Sequence, residues 1–275
     1  MPLRPRLIAS APPRTSALLG GSRRAWLALA MATGLAVGSA QAQTTPTGPV
    51  LVAVAANFTA PMQQMAADFE RETGHRVQLA FGATGKFYAQ ITQGAPFHVL
   101  LSADDTTPAR LAQEGKAVAD SRFVYAVGRL VLWSPEPGVV DAQGQVLRDG
   151  TQRHLAIAQP RVAPYGAAAM QVLDALGVRA RWEPRLVTGE SIGQAYQFVA
   201  TGNAPLGFVA LSQVQQQGRI ARGSAWVVPE SLHAPLRQEA VLLKPGQGHA
   251  GARALLQYLR TPAAQAVIRA FGYGV

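Results

Sequence analysis

The chain has 275 residues, 48% of them apolar, enough to bury the cores of one or two domains. It contains no cysteine, which excludes disulfides, thiolate metal sites and a cysteine nucleophile. Of the formal net charge of +10, five units come from Arg4, Arg6, Arg14, Arg23 and Arg24; the remaining 20 basic and 15 acidic residues are dispersed, which argues against a nucleic-acid partner.

Residues 1–42 read as an export signal: a basic start, an apolar run from Ala25 to Val37, then Ala40-Gln41-Ala42 as a small-x-small cleavage site. The apolar run is too short to span a bilayer. Cleavage after Ala42 leaves Gln43 first, ahead of a polar leader. Ser22-Arg23-Arg24-Ala25-Trp26-Leu27 is similar to a twin-arginine motif, and the general secretory route is equally open. Either route predicts a periplasmic protein.

The mature chain alternates strand and helix. Val50–Val54 is an apolar strand that passes through Ala55-Ala56-Asn57 into a helix carrying Phe58, Met62, Met65, Ala66 and Phe69 on one face. Asn57 is expected at its N-cap and Gly74 beyond its end. Val77–Phe81 is a strand, Gly82-Ala83-Thr84-Gly85 leads into a helix from about Lys86, and Val99–Ala103 is a third strand. Asp104-Asp105-Thr106 caps a helix over Pro108–Gln113. Phe123–Trp133 reads as one long apolar strand. Further on, His154–Ala158, Arg185–Val187, Pro205–Leu211, Ala225–Val228 and Arg237–Leu243 are strands. Ala167–Leu176, Ile192–Ala200, Ala250–Leu259 and Pro262–Phe271 are helices. Short connections between alternating elements predict a parallel, doubly wound sheet, and roughly 230 residues of such alternation allow one large sheet or two lobes.

Several stretches could carry chemistry. Gly82–Lys86 (GATGK) fails as a phosphate loop, because Phe87 stands where Ser or Thr belongs and Ala80 where the first glycine belongs. Thr84 and Gly85 still bring a hydroxyl and backbone N–H groups to a helix start, either as a plain cap or as an anion contact. Ser102, Asp104 and Asp105 could serve a hydrolase; capping the next helix explains them more simply. Their nearest histidine, His98, lies roughly 13 Å away along an extended strand. The five histidines show no metal-ligand spacing. Pro164-Tyr165-Gly166 and Ser191-Ile192 are two more helix entrances. Four helix starts, at Asn57, Thr84, Tyr165 and Ser191, thus follow four strands, with Lys86 and Arg161 as the only cations in their loops. Neutral donors in that array suit a small, fully deprotonated oxyanion.

Val52–Met62 (VAVAANFTAPM), Phe81–Ile91 (FGATGKFYAQI), Gly94–Asp104 (GAPFHVLLSAD), Pro164-Tyr165-Gly166, Ala204–Val209 (APLGFV) and Tyr258–Tyr273 resemble, in order, the periplasmic molybdate-binding proteins of ABC transporters. The resemblance implies an α/β type II periplasmic-binding-protein fold. Two lobes, each a mostly parallel sheet flanked by helices, would be joined by two hinge strands, with residues 43–123 and 229–275 in one lobe and 124–228 in the other. It implies a non-enzymatic receptor for molybdate, and for tungstate as well, delivering the anion to a permease driven by a cytoplasmic ATPase. The anion would be held as an oxyanion by Asn57, Thr84, Tyr165 and Ile192, with Phe58 and Gly85 beside them, without a protein–metal bond and without a cofactor. A monomer is expected. Ala210 stands where part of the family has a donating tyrosine, so Tyr165 is expected to compensate through its hydroxyl. The competing readings are a receptor of the same fold for sulfate or thiosulfate, and an exported α/β hydrolase.

Overall fold

The computed structural model describes residues 48–275; the export signal and the cleavage site after Ala42 lie outside the described residues. The strands in chain order are β1 (Val50–Ala55), β2 (Val77–Gly82), β3 (Val99–Leu101), β4 (Phe123–Gly128), β5 (Leu130–Ser134), β6 (Leu155–Ala158), β7 (Leu186–Gly189), β8 (Leu206–Ala210), β9 (Gln215–Gln216), β10 (Arg219–Ile220), β11 (Ser224–Val227) and β12 (Leu236–Leu242). The helices are α1 (Thr59–Thr73), α2 (Thr84–Thr92), α3 (Thr106–Gln113), α4 (Val146–Asp149), α5 (Pro164–Ala175), α6 (Arg179–Trp182), α7 (Ile192–Ala200), α8 (Leu211–Val214), α9 (Ala250–Tyr258) and α10 (Pro262–Ala270).

Two five-stranded sheets result, in the orders β2-β1-β3-β12-β4 and β11-β5-β8-β6-β7. In the first, β12 runs against the other four strands. In the second, β5 is the reversed strand. Each reversed strand is the one by which the chain enters that sheet from the other. The expected mostly parallel, two-lobed architecture therefore stands, and the exceptions are the crossings.

The run Phe123–Trp133 is a correction. It is two strands: β4 pairs with β12 in the first sheet and β5 with β8 and β11 in the second, with Arg129 between them. Both halves are apolar because both sheets are covered, so composition alone does not reveal the break. We draw the lobe boundary at Arg129, since a cut at 123/124 would separate β4 from its partner. The return crossing lies between Val227 and Leu236.

Each sheet has its own core. Phe58, Met62, Met65 and Phe69 from the first helical stretch pack with Leu255 and Ile268 on one face of the first sheet. Phe87, Ile91 and Leu111 cover the other. In the second lobe Trp182, Leu173, Phe208 and Leu130 share a core, and the Trp182 indole N–H donates to the Leu147 carbonyl at 2.9 Å. Gly74 ends α1 with φ of 72°, as expected of a left-handed cap, its N–H on the Glu70 carbonyl.

Three expected helix starts move earlier. A 3₁₀ turn over Ala56–Phe58 precedes α1, so Asn57 lies inside a helical turn and is not its cap. Helix α2 begins at Thr84 and α5 at Pro164. The residues left at the three cap positions are Ala55, Ala83 and Ala163, none of which has a side-chain oxygen. Alanine is among the poorest N-caps, and here it recurs three times.

Candidate functional site

The carboxyl ends of β1, β2, β6 and β7 bring these helix starts together between the sheets. They border a small chamber of about 10 Å³, lined by Ala55, Ala56, Asn57, Gly82, Ala83, Thr84, Ala103, Ala163, Pro164, Tyr165 and Ile192. Organic ligands of drug size occupy roughly 300–1,000 Å³, so this volume points to an inorganic ion. The lining carries no charged side chain.

The donors follow from the helix starts. Thr84 and Ile192 are first residues of α2 and α7, Tyr165 is second in α5, and Asn57 is second in the 3₁₀ turn. First-turn N–H groups have no partner within their own helix. Ser191 caps α7 through the N–H of Gln194, not that of Ile192. At the other three starts the alanine caps offer nothing. Thr84 is almost wholly buried, and its hydroxyl oxygen accepts the Ala103 N–H at 3.0 Å, so its own proton remains to donate. The dipoles of α2, α5 and α7 add positive potential at the same point.

Asn57, Thr84, Tyr165 and Ile192 thus meet in one chamber. Phe58 and Gly85 do not line it. The Phe58 ring is fully buried, edge-on to Tyr125 at 4.7 Å and Tyr273 at 5.3 Å, and belongs to the first core. The Gly85 N–H donates across the cleft to the Val162 carbonyl at 2.8 Å, so it is committed to joining the lobes.

Two lining side chains continue into a buried polar network that sequence reasoning missed. At its centre is Gln238, fully buried on β12 where a bulge shifts the register against β4. Its Nε2 donates to Tyr165 Oη at 3.1 Å, and its Oε1 accepts from Asn57 Nδ2 at 2.8 Å and Tyr125 Oη at 3.0 Å. Tyr273 Oη and Ser212 Oγ both reach the Asn57 carbonyl, at 2.7 and 2.8 Å. Burial raises the pKa of Tyr125, Tyr165 and Tyr273, so their hydroxyls stay protonated. Tyr165 Oη accepts from Gln238 Nε2, which leaves its own proton, as well as its first-turn N–H, to donate. Ala210 itself does not line the chamber; its N–H goes to Gln213 Oε1 at 2.9 Å. Gly128 makes room for this junction, since a Cβ there would lie 2.1 Å from Tyr165 Oη and 2.5 Å from Gln238 Nε2.

The family model for bacterial extracellular solute-binding proteins matches residues 50–274. The chain belongs to that family. The molybdate-binding protein ModA of Azotobacter vinelandii is 56% identical over 249 residues, 90% of this chain and 97% of that protein. ModA of Rhodobacter capsulatus is 53% identical over 247 residues, 90% and 94% of the two chains. The solved periplasmic molybdate-binding protein of Azotobacter vinelandii superposes with a TM-score of 0.80 at 43% identity, covering 82% of this chain and 99% of that one.

A solute-binding protein of this kind is a receptor and not an enzyme, and the residues that suggested a hydrolase serve the fold. Ser102 Oγ donates to Asp104 Oδ1 at 3.0 Å, and Asp104, just before the N-cap Asp105, braces the first turn of α3 by accepting the Thr107 N–H at 2.9 Å. His98 Nδ1 accepts the Leu51 N–H at 3.1 Å, and Ser102 Oγ bonds Asp104 instead of His98. Burial raises the Asp104 pKa, against the hydrogen bonds from Thr107 and Ser102. Lys86 pairs with Glu190 across the cleft, and neither lines the chamber.

Proposed function

We propose that this solute-binding protein is a periplasmic receptor for molybdate, and for tungstate, which it carries to an ABC permease driven by a cytoplasmic ATPase. One observation supports the choice of ligand class above the others: three uncapped helix starts and the Thr84 hydroxyl surround a small chamber lined by no charged side chain. First-turn N–H donors and a hydroxyl, with no charged acceptor among them, suit an oxyanion that has lost its protons. The relatives named for molybdate favour that anion over others of the shape. Asn57, Thr84, Tyr165 and Ile192 would hold its oxygens, with no bond from protein to metal and no cofactor. Export through residues 1–42 with cleavage after Ala42, and action as a monomer, complete the reading.

Lobe closure follows from differential affinity, since the anion meets all four helix starts only when the lobes approach. Selection against sulfate follows from size: donors set for the larger ion stand too far from a smaller one for good hydrogen bonds. Phosphate carrying a proton needs an acceptor, and Asp104 and Glu190, the nearest carboxylates by sequence to the site loops, are not in the lining.

Titration calorimetry on the chain from Gln43, with molybdate and sulfate in separate runs, tests this. Tight one-to-one binding of molybdate with little heat from sulfate is expected. A preference for sulfate would keep the fold and overturn the ligand. The Lys86–Glu190 pair gives a second expectation. Both side chains are well exposed, so Lys86→Ala should change molybdate affinity by less than about threefold, the scale of a surface ion pair. A loss of a hundredfold would make Lys86 a ligand after all.

A further inference from the structure

The Asn57 side chain is buried, and its Oδ1 has no hydrogen-bond partner. Its Nδ2 uses both protons, one on Gln238 Oε1 and one on Tyr273 Oη at 3.0 Å. In this sense the amide has nothing to donate to an anion, and its remaining atom is an acceptor. A buried acceptor without a donor is destabilising. A second tension lies next to it. Tyr125 Oη has one proton but faces two acceptors, Gln238 Oε1 at 3.0 Å and the Ser102 carbonyl at 3.1 Å.

Both tensions vanish if the two amides turn together. The nitrogen and oxygen of an amide have nearly the same size, so a half-turn preserves the heavy-atom frame and reverses the hydrogen-bond sense. We propose that Gln238 is a positioning residue for the anion site: its amide sets the direction of the Asn57 amide, and with anion present both stand in the reversed sense. Gln238 Nε2 then donates to Asn57 Oδ1 and Tyr125 Oη, and the Tyr125 proton goes to Ser102. Tyr165 Oη donates to Gln238 Oε1. Tyr273 Oη, which then faces Asn57 Oδ1, turns its proton to that oxygen and leaves the Asn57 carbonyl to Ser212 Oγ, and Asn57 Nδ2 takes the place of the orphaned oxygen, with two protons for the anion. Turning Asn57 alone would set its oxygen against Gln238 Oε1 at 2.8 Å, so the reversal is concerted. Because Gln238 bonds Asn57 on the first lobe and Tyr165 on the second, the same amide links anion binding to lobe closure.

This rests on the chamber being an oxyanion site. It is tested by ¹H–¹⁵N spectra of the side-chain amides in the full mature chain, titrated with sodium molybdate. The Asn57 and Gln238 pairs are assigned from their loss in Asn57→Asp and Gln238→Glu. Expected is a concerted shift of both pairs at one equivalent. Gln238→Glu can only accept when ionised, which holds Asn57 in the unreversed sense. It should leave the Asn57 pair unresponsive, and the locked sense together with the added negative charge should weaken molybdate binding at least tenfold in calorimetry. Gln238→Met, which lets Asn57 turn, should lose less. Asn57 resonances that stay still while the wild-type protein binds molybdate would overturn the proposal. So would equal losses in the two variants with the Asn57 pair still responding. No molybdate binding by the wild type would instead overturn the receptor reading, and this proposal with it.

Discussion

Asn57→Asp is expected to abolish molybdate binding at neutral pH, with a loss of about a thousandfold. The substitution changes one atom in shape but places a carboxylate in a chamber with no charged side chain in its lining. Like charges about 4 Å apart repel by roughly 4 kcal/mol at an effective dielectric constant of 20, and a dianion feels more. The hydroxyls around the site do not compensate, because burial keeps Tyr125, Tyr165 and Tyr273 neutral. The sign of the pH dependence follows. Bound anion and burial both raise the pKa of the introduced carboxyl, so the complex holds a proton that the free protein binds less tightly. Affinity relative to the wild type should therefore recover as pH falls through that range, and the gap should widen as pH rises. Calorimetry on both proteins from pH 8 to pH 5.5 reads the ratio directly, with circular dichroism to verify folding. An Asn57→Asp protein that binds like the wild type would remove Asn57 from the site.

How much of this was legible in the sequence depended on whether a residue announced its role locally. Ser191 caps α7 and Ile192 begins it as read, since a serine before an apolar 3.6-residue period is a direct signal. Gly74 is equally direct. The alanine caps were hidden for the opposite reason. Sequence reading looks for a polar residue at a helix start, finds Asn57 and Thr84, and places the start on or after them. The structure puts those residues inside the first turn and leaves Ala55, Ala83 and Ala163 at the caps. The local rule fails where the helix start faces the chamber.

Gln238 is a different kind of omission. Leu236, Gln238, Ala240 and Leu242 alternate along β12, so Gln238 falls on the buried face of an apolar strand. A polar residue at such a position must find partners, and that alone marked it for attention. What the sequence could not supply was the identity of those partners, which come from as far as Asn57 and Tyr165. The crossing at Arg129 was hidden by uniform apolar composition, with Gly128-Arg129 its single interruption.

Gly85→Ala separates binding from folding. Gly85 lies in the first turn of α2 and does not have a positive φ, so alanine suits the backbone and favours the helix by about 1 kcal/mol over glycine. Its Cβ, however, would stand 2.9 Å from Val162 Cα and 3.0 Å from Val162 Cβ, on the other side of the cleft. The obstacle is backbone, which has no rotamer to yield, and the Gly85 N–H bond to the Val162 carbonyl would stretch with it. Overpacking of this kind costs about 1–3 kcal/mol. That cost falls on the closed arrangement alone, because the contact exists only when the lobes meet. Molybdate affinity should drop about thirtyfold, near the middle of that range. The melting temperature of the anion-free protein should stay level or rise. A matched fall in both would mean that the lobes are held together without the anion, and that closure is not what the anion drives.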